Sequence, residues 1–197
     1  IIKSIKEGMI IVGENEAKRT IKDSVFTNLF GDSKYLLQFY QAIHPEDKDV
    51  KEDELRTITL ENILTDDIYN DLGFIKGDKI MILAEAQSTW TSNIIIRALE
   101  YLVNSYRRYF TENGMDLYQS KKVSLPKPEL YVIYTGNRKK RPDRITLSEE
   151  FFQGENTAIE VTVKMIYDGR NGDIINQYVT FTKILNEQIR LHGGTKK

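Results

Sequence analysis

The stretch "NDLGFIKGDKIMILAEAQS", residues 70–88, decides how this chain folds. Gly77 stands between two apolar runs, so the segment reads as a β-hairpin. Side chains alternate faces along a strand. Glu85 and Gln87 therefore share a face with Met81 and Leu83, while Ala84 and Ala86 point the other way, where small side chains let a helix come close. Whether Asp71 joins the Glu85 face depends on the loop. A two-residue loop separates them. A bulge, or a three-residue loop such as Ile75-Lys76-Gly77 with Gly77 left-handed, brings them together. Gly77 suits the three-residue loop without deciding it.

The faces matter because carboxylates buried beside Met81 and Leu83 cost free energy unless something pairs with them. If Asp71 and Glu85 agree, two carboxylates converge beside the Gln87 amide and the backbone carbonyl of Ala86. Oxygen donors of this kind suit a hard cation such as magnesium. Magnesium in such a place activates water for phosphodiester hydrolysis. The same letters also fit a plainer arrangement, with Glu85 and Gln87 emerging at a strand end and Asp71 bonding a turn. Both readings stay open on the pattern "D…ExQ" alone.

Working outward, "DSVFTNLFGDSKYLLQFYQAIH" reads as helix. Val25, Phe26, Leu29 and Phe30 form a stripe that Leu36, Phe39, Tyr40 and Ile43 continue. "HPEDKDVKEDEL", with six acidic and two basic residues, reads as a solvated connection. "RTITLENIL" is a strand. "NIIIRALEYLVNSYRRYF" is a long helix with Ile95, Leu99, Leu102 and Tyr106 on one face, capped by Ser92 or Asn93. "ELYVIYTG" and "TAIEVTVKMIY" are strands, and "IINQYVTFTKILNEQIRLHGG" is a closing helix with a Gly-Gly stop. The first strands suit an antiparallel meander, and the long helix a crossover to a parallel strand. The expectation is an α/β fold with a mixed central sheet flanked by helices, one domain over residues 1–197.

Composition narrows the chemistry. The chain has no cysteine, which excludes disulfides, thiolate zinc sites and cysteine nucleophiles, and agrees with a cytoplasmic location. Its two histidines, His44 and His192, sit in polar contexts and argue against a histidine-based triad or metal site. With 28 basic and 29 acidic residues the net charge is −1, so any nucleic-acid contact is local. The richest apolar run is broken by Arg97 and Glu100 and is too short to span a membrane. The N-terminal residues are too charged for a signal peptide, and the absence of an initial methionine suggests a fragment.

The wider string "KDSVFTNLF", "YNDLGF", "ILAEAQS" and "IIIRALEYL" resembles the PD-(D/E)XK nuclease family transposases, also called recombination-promoting nuclease-like proteins. Their pattern is an Asp before an aromatic in the first helix, an Asp on the second strand, "ExQ" on the third and "R-x-x-x-Y" in the next helix. All four parts occur here in order over roughly residues 20–110, and residues 129–192 are similar with weaker motifs. The resemblance implies a PD-(D/E)XK restriction-endonuclease-like core. It implies a magnesium-dependent DNA endonuclease tied to recombination or a mobile element, with manganese as substitute. The alternative is a weak or inactive nuclease fold that binds DNA.

By the same resemblance Asp71 and Glu85 hold the metal, and the face reading of the hairpin adds the Ala86 carbonyl to them. Gln87 replaces the signature lysine, and Asp23 is an additional acidic residue. Arg97 and Tyr101, four apart on one helical face, reach a substrate phosphate. DNA is the implied partner, with room for a homodimer and no role for a membrane. The lysine-to-glutamine exchange removes a positive charge, though glutamine still positions water. The family usually continues into further helices, so this chain is expected to be cut short at its C-terminus.

Three other features carry alternatives. "NRKKRPDR", residues 137–144, has net charge +4; through Arg138, Lys139, Lys140 and Arg141 it is a DNA-phosphate contact or an ordinary solvated loop. Tyr106 and Phe110 of "YRRYF" read as core more than as stacking residues. Trp90 reads as a packing residue before a lid.

Overall fold

The computed structural model describes residues 25–58, 71–77 and 80–192. Asp23, the second half of "RTITLENIL" and the Gly-Gly stop lie outside them. The described strands are β1 (Leu55–Ile58), β2 (Asp71–Lys76), β3 (Ile80–Gln87), β4 (Lys127–Tyr134), β5 (Arg144–Thr146) and β6 (Thr162–Ile166). They form one sheet in the order β1-β2-β3-β4-β6-β5. The first three strands pair antiparallel, β3, β4 and β6 run parallel, and β5 closes the edge antiparallel. The expected meander and crossover are both present, and the fold is mixed α/β.

Alternation along β3 sorts the core into two layers. Ile82, Ala84 and Ala86 face Phe26, Phe39, Tyr178 and Val179, which come from the helical residues 25–31 and from helices α1 (Ser33–Ile43) and α4 (Ile174–His192). Met81 and Leu83 face Ile94, Ile95 and Ala98 of α2 (Ile94–Glu112). A short helix, α3 (Leu147–Phe151), adds Leu147 to that second layer. From Glu129 onward β4 is buried at every position, as a strand covered on both faces must be.

Several expectations need correction. The first helical stretch breaks at Asp32, whose carboxylate accepts from the Lys34 backbone N–H at 3.0 Å and starts α1 afresh. The buried stripe of α2 is Ile94, Ile95, Ala98, Tyr101, Ser105 and Tyr109, while Leu99, Leu102 and Tyr106 are only half-buried. Asn93 occupies the N-cap position without a side-chain cap bond, and Ser92 instead bonds Glu150. The acidic connection is not simply solvated: Val50 is buried within it, and Asp47 accepts from the Tyr40 hydroxyl at 2.7 Å. His44 is buried too, 2.9 Å from Glu46 and 3.0 Å from Glu129. Neither β5 nor α3 was expected.

Candidate metal and nucleic-acid site

Lys76 pairs with Ile80 across the hairpin, leaving three residues between the strands, and Gly77 has φ +52°. The loop therefore has the expected length and left-handed glycine but lies two residues later than Ile75-Lys76-Gly77. Its consequence is that Asp71 stands directly opposite Glu85. Directly opposed residues share a face, with Cβ atoms about 4.5–5.5 Å apart. The face is that of α2, since Asp71, Glu85, Ile94, Ala98 and Tyr101 line one cavity.

Two such carboxylates repel each other, and burial in low dielectric sharpens the repulsion. Helix α2 supplies the answer with residues four apart. Arg97 Nη2 donates to Glu85 Oε1. The Tyr101 hydroxyl hydrogen-bonds Asp71, and burial, then the Asp71 charge and that bond, push the phenol pKa upward. Tyr101 thus stays a neutral donor. Glu85 is 8% exposed and Tyr101 6%, whereas the Arg97 side chain is 32% exposed. Arg97 accordingly lies at the mouth of the site and Tyr101 at its floor.

Gln87 is half-buried on the same face but lines a neighbouring cavity with Trp90, Thr91 and Tyr134. Ile94 borders both cavities. The structure therefore brings Asp71, Glu85, Arg97 and Tyr101 together and sets Gln87 to one side. The side chain of Ala86 faces the opposite layer, within the other core cluster. Asp23, outside the described residues, has no assigned place. Among the described residues, no group of three or more His, Cys, Asp or Glu side chains could hold a metal ion. The oxygen donors that are present, two opposed carboxylates, are those that magnesium takes when substrate and water complete its shell.

The basic loop begins at the edge of this site. Gln87 pairs with Tyr134, and the Thr135 backbone N–H donates to the Gln87 carbonyl at 2.8 Å. Gly136 then passes so close that a Cβ there would fall 2.1 Å from the Ser88 carbonyl oxygen. Arg138 lays its guanidinium 3.6 Å from the centroid of the Trp90 ring, which meets Tyr134 edge-on at 5.5 Å. Arg141 binds Asp168 at 2.6 Å, and Lys139 and Lys140 are exposed. Trp90 is a packing residue as expected, and it also seats Arg138, a role hidden from sequence reading by a separation of 48 positions. Tyr106 donates to the Pro126 carbonyl at 2.7 Å and stacks on Phe110, so both are packing residues.

The geometry defines a class: a mixed α/β protein with a cross-strand carboxylate pair under one helix, and a cationic loop beside it. No protein-family model, no curated protein and no solved structure matches this chain. No helix of the described residues is long and apolar enough to cross a membrane.

Proposed function

We propose that this chain is a magnesium-dependent DNA endonuclease with a PD-(D/E)XK-type core, of the recombination-associated kind that its motifs resemble. The observation that supports this most is the register that sets Asp71 opposite Glu85 beneath Arg97 and Tyr101. Asp71 and Glu85 hold the ion, with manganese as substitute. A magnesium ion held there would supply positive charge at the scissile phosphate and lower the pKa of a bound water. Tyr101 fixes the Asp71 carboxylate by donating to it. Gln87, two residues beyond Glu85 on the same face and lining the adjoining cavity, would reach toward the attacking water with a neutral hydrogen bond. Water adds to phosphorus as one ester P–O bond breaks, and the proton that the water gives up ends on the leaving oxygen. Arg138, Lys139, Lys140 and Arg141 hold the DNA backbone beside the cut.

A second reading, a weak or inactive nuclease fold that binds DNA, draws on the small number of acidic groups at the site and on the Arg97 cation seated at Glu85. Plasmid nicking separates the two. Wild type should nick supercoiled plasmid with magnesium and not with chelator. Folded Glu85→Ala should lose the activity, and Gln87→Ala should lose about 10–100-fold if it only positions water. Full magnesium-dependent nicking by folded Glu85→Ala would refute the proposal, and binding without nicking by wild type would favour the second reading.

A further inference from the structure

Arg97 and Tyr101 serve the two carboxylates unequally. Tyr101 is buried and bonded to Asp71. Arg97 reaches Glu85 through one terminal nitrogen, and its Nε is buried with no hydrogen-bond partner among the described residues. A guanidinium has five N–H donors in a fixed fork, and a buried donor left unmet is unfavourable. Its seat on Glu85 is therefore an incomplete one. With the side chain 32% exposed, it also has a path outward. A divalent ion shared by Asp71 and Glu85 would compete with the guanidinium for Glu85 Oε1, because both are cations drawn to the same oxygen.

We propose that Arg97 is the resident cation of this site, displaced from Glu85 when a divalent metal ion binds and thereby freed for a phosphate at the mouth. The inference rests on the metal reading above and deepens it. Metal loading and phosphate capture become one event: the ion that activates the site also releases the residue that grips the substrate. Without metal the arginine compensates the carboxylate charge and keeps the site closed to other cations. Tyr101 stays with Asp71 throughout.

The test needs no cleavage. Manganese binding to the full chain is followed by electron paramagnetic resonance of the free ion, for wild type, Arg97→Gln and Glu85→Gln. Removing a charge-assisted competitor should tighten manganese binding in Arg97→Gln by about 10–100-fold, while Glu85→Gln should weaken it. Wild type with ¹⁵N-labelled arginine gives a second readout that requires no variant: the Arg97 Nε–H resonance should move on magnesium saturation. Equal or weaker manganese binding by folded Arg97→Gln overturns the inference, and so does an Arg97 resonance unmoved at saturating magnesium. In either case, wild-type binding that depends on Glu85 leaves the metal reading standing. Absence of manganese binding by all three proteins overturns both.

Discussion

Glu129 offers a sharp test of the fold because it is a buried carboxylate remote from the proposed chemistry. It lies on the sheet face opposite Glu85, sharing its side of β4 with Tyr131 and Ile133. Only 7% exposed, it accepts from the Tyr131 hydroxyl at 2.6 Å and lies 3.0 Å from His44 Nε2, with Lys127 at 3.3 Å and Lys164 at 3.5 Å. Glu129→Ala strips the buried Tyr131 hydroxyl of its acceptor, at about 1–3 kcal/mol. The two lysines are exposed and return to water for about 0–1 kcal/mol. The sum is about 1–4 kcal/mol, or a melting temperature lower by about 2–16 °C for a chain of this length.

The pH dependence carries a sign. Burial alone would raise the Glu129 pKa, but the Tyr131 hydrogen bond and the charges of Lys164 and His44 outweigh it and hold the carboxyl below its usual value. A carboxylate lowered on folding stabilises above its unfolded pKa and loses that contribution as pH falls through the folded value. Glu129→Gln keeps the shape and loses the charge. Its melting deficit should be full near pH 7 and shrink below about pH 4.3, the ordinary glutamate value. Calorimetric melting from pH 3 to pH 7 checks both variants. A melting temperature for Glu129→Ala within about 2 °C of wild type at pH 7 would refute the reasoning. Folded Glu129→Ala should retain wild-type manganese affinity, since its carboxylate lies on the face of the sheet opposite Asp71 and Glu85.

Two further predictions concern the loop beside the site. Gly136→Ala places a Cβ 2.1 Å from the Ser88 carbonyl, so the backbone must shift, at about 1–3 kcal/mol or more, and DNA affinity should fall with it; an unchanged melting temperature and affinity would contradict the close approach. Charge reversal across Arg138, Lys139, Lys140 and Arg141 should weaken DNA binding and flatten its salt dependence, each lost phosphate contact lowering the slope by about 0.9. An unchanged slope would make 137–144 an ordinary solvated loop.

What could be read from the sequence was what local pattern encodes. Alternation in "KIMILAEAQS" sorted Glu85 from Ala84 and Ala86, and Gly77 pointed to a three-residue loop. The parity was right although the loop lay two residues later, because a shift by two preserves the face. The same reasoning could not place Gln87 in a cavity separate from Glu85, since alternation assigns faces and says nothing of sideways offset along a twisted strand. Apolar periodicity in α2 points to Leu99 and Leu102, whereas the buried line runs through Ala98, Tyr101 and Ser105. Ala98 and Ser105 carry little apolar signal, and Tyr101 is buried to meet Asp71. Strand β5 spans three residues between a basic loop and a short helix, too few for alternation to show. His44 and Glu129, 85 positions apart, leave no local trace of their contact.

The most direct test of the central claim is a crystal soaked in manganese and measured at the manganese absorption edge. The account predicts one anomalous peak between the Asp71 and Glu85 carboxylates, within about 2.0–2.3 Å of an oxygen from each. Density without such a peak at saturating manganese, or a peak that touches neither carboxylate, would contradict it.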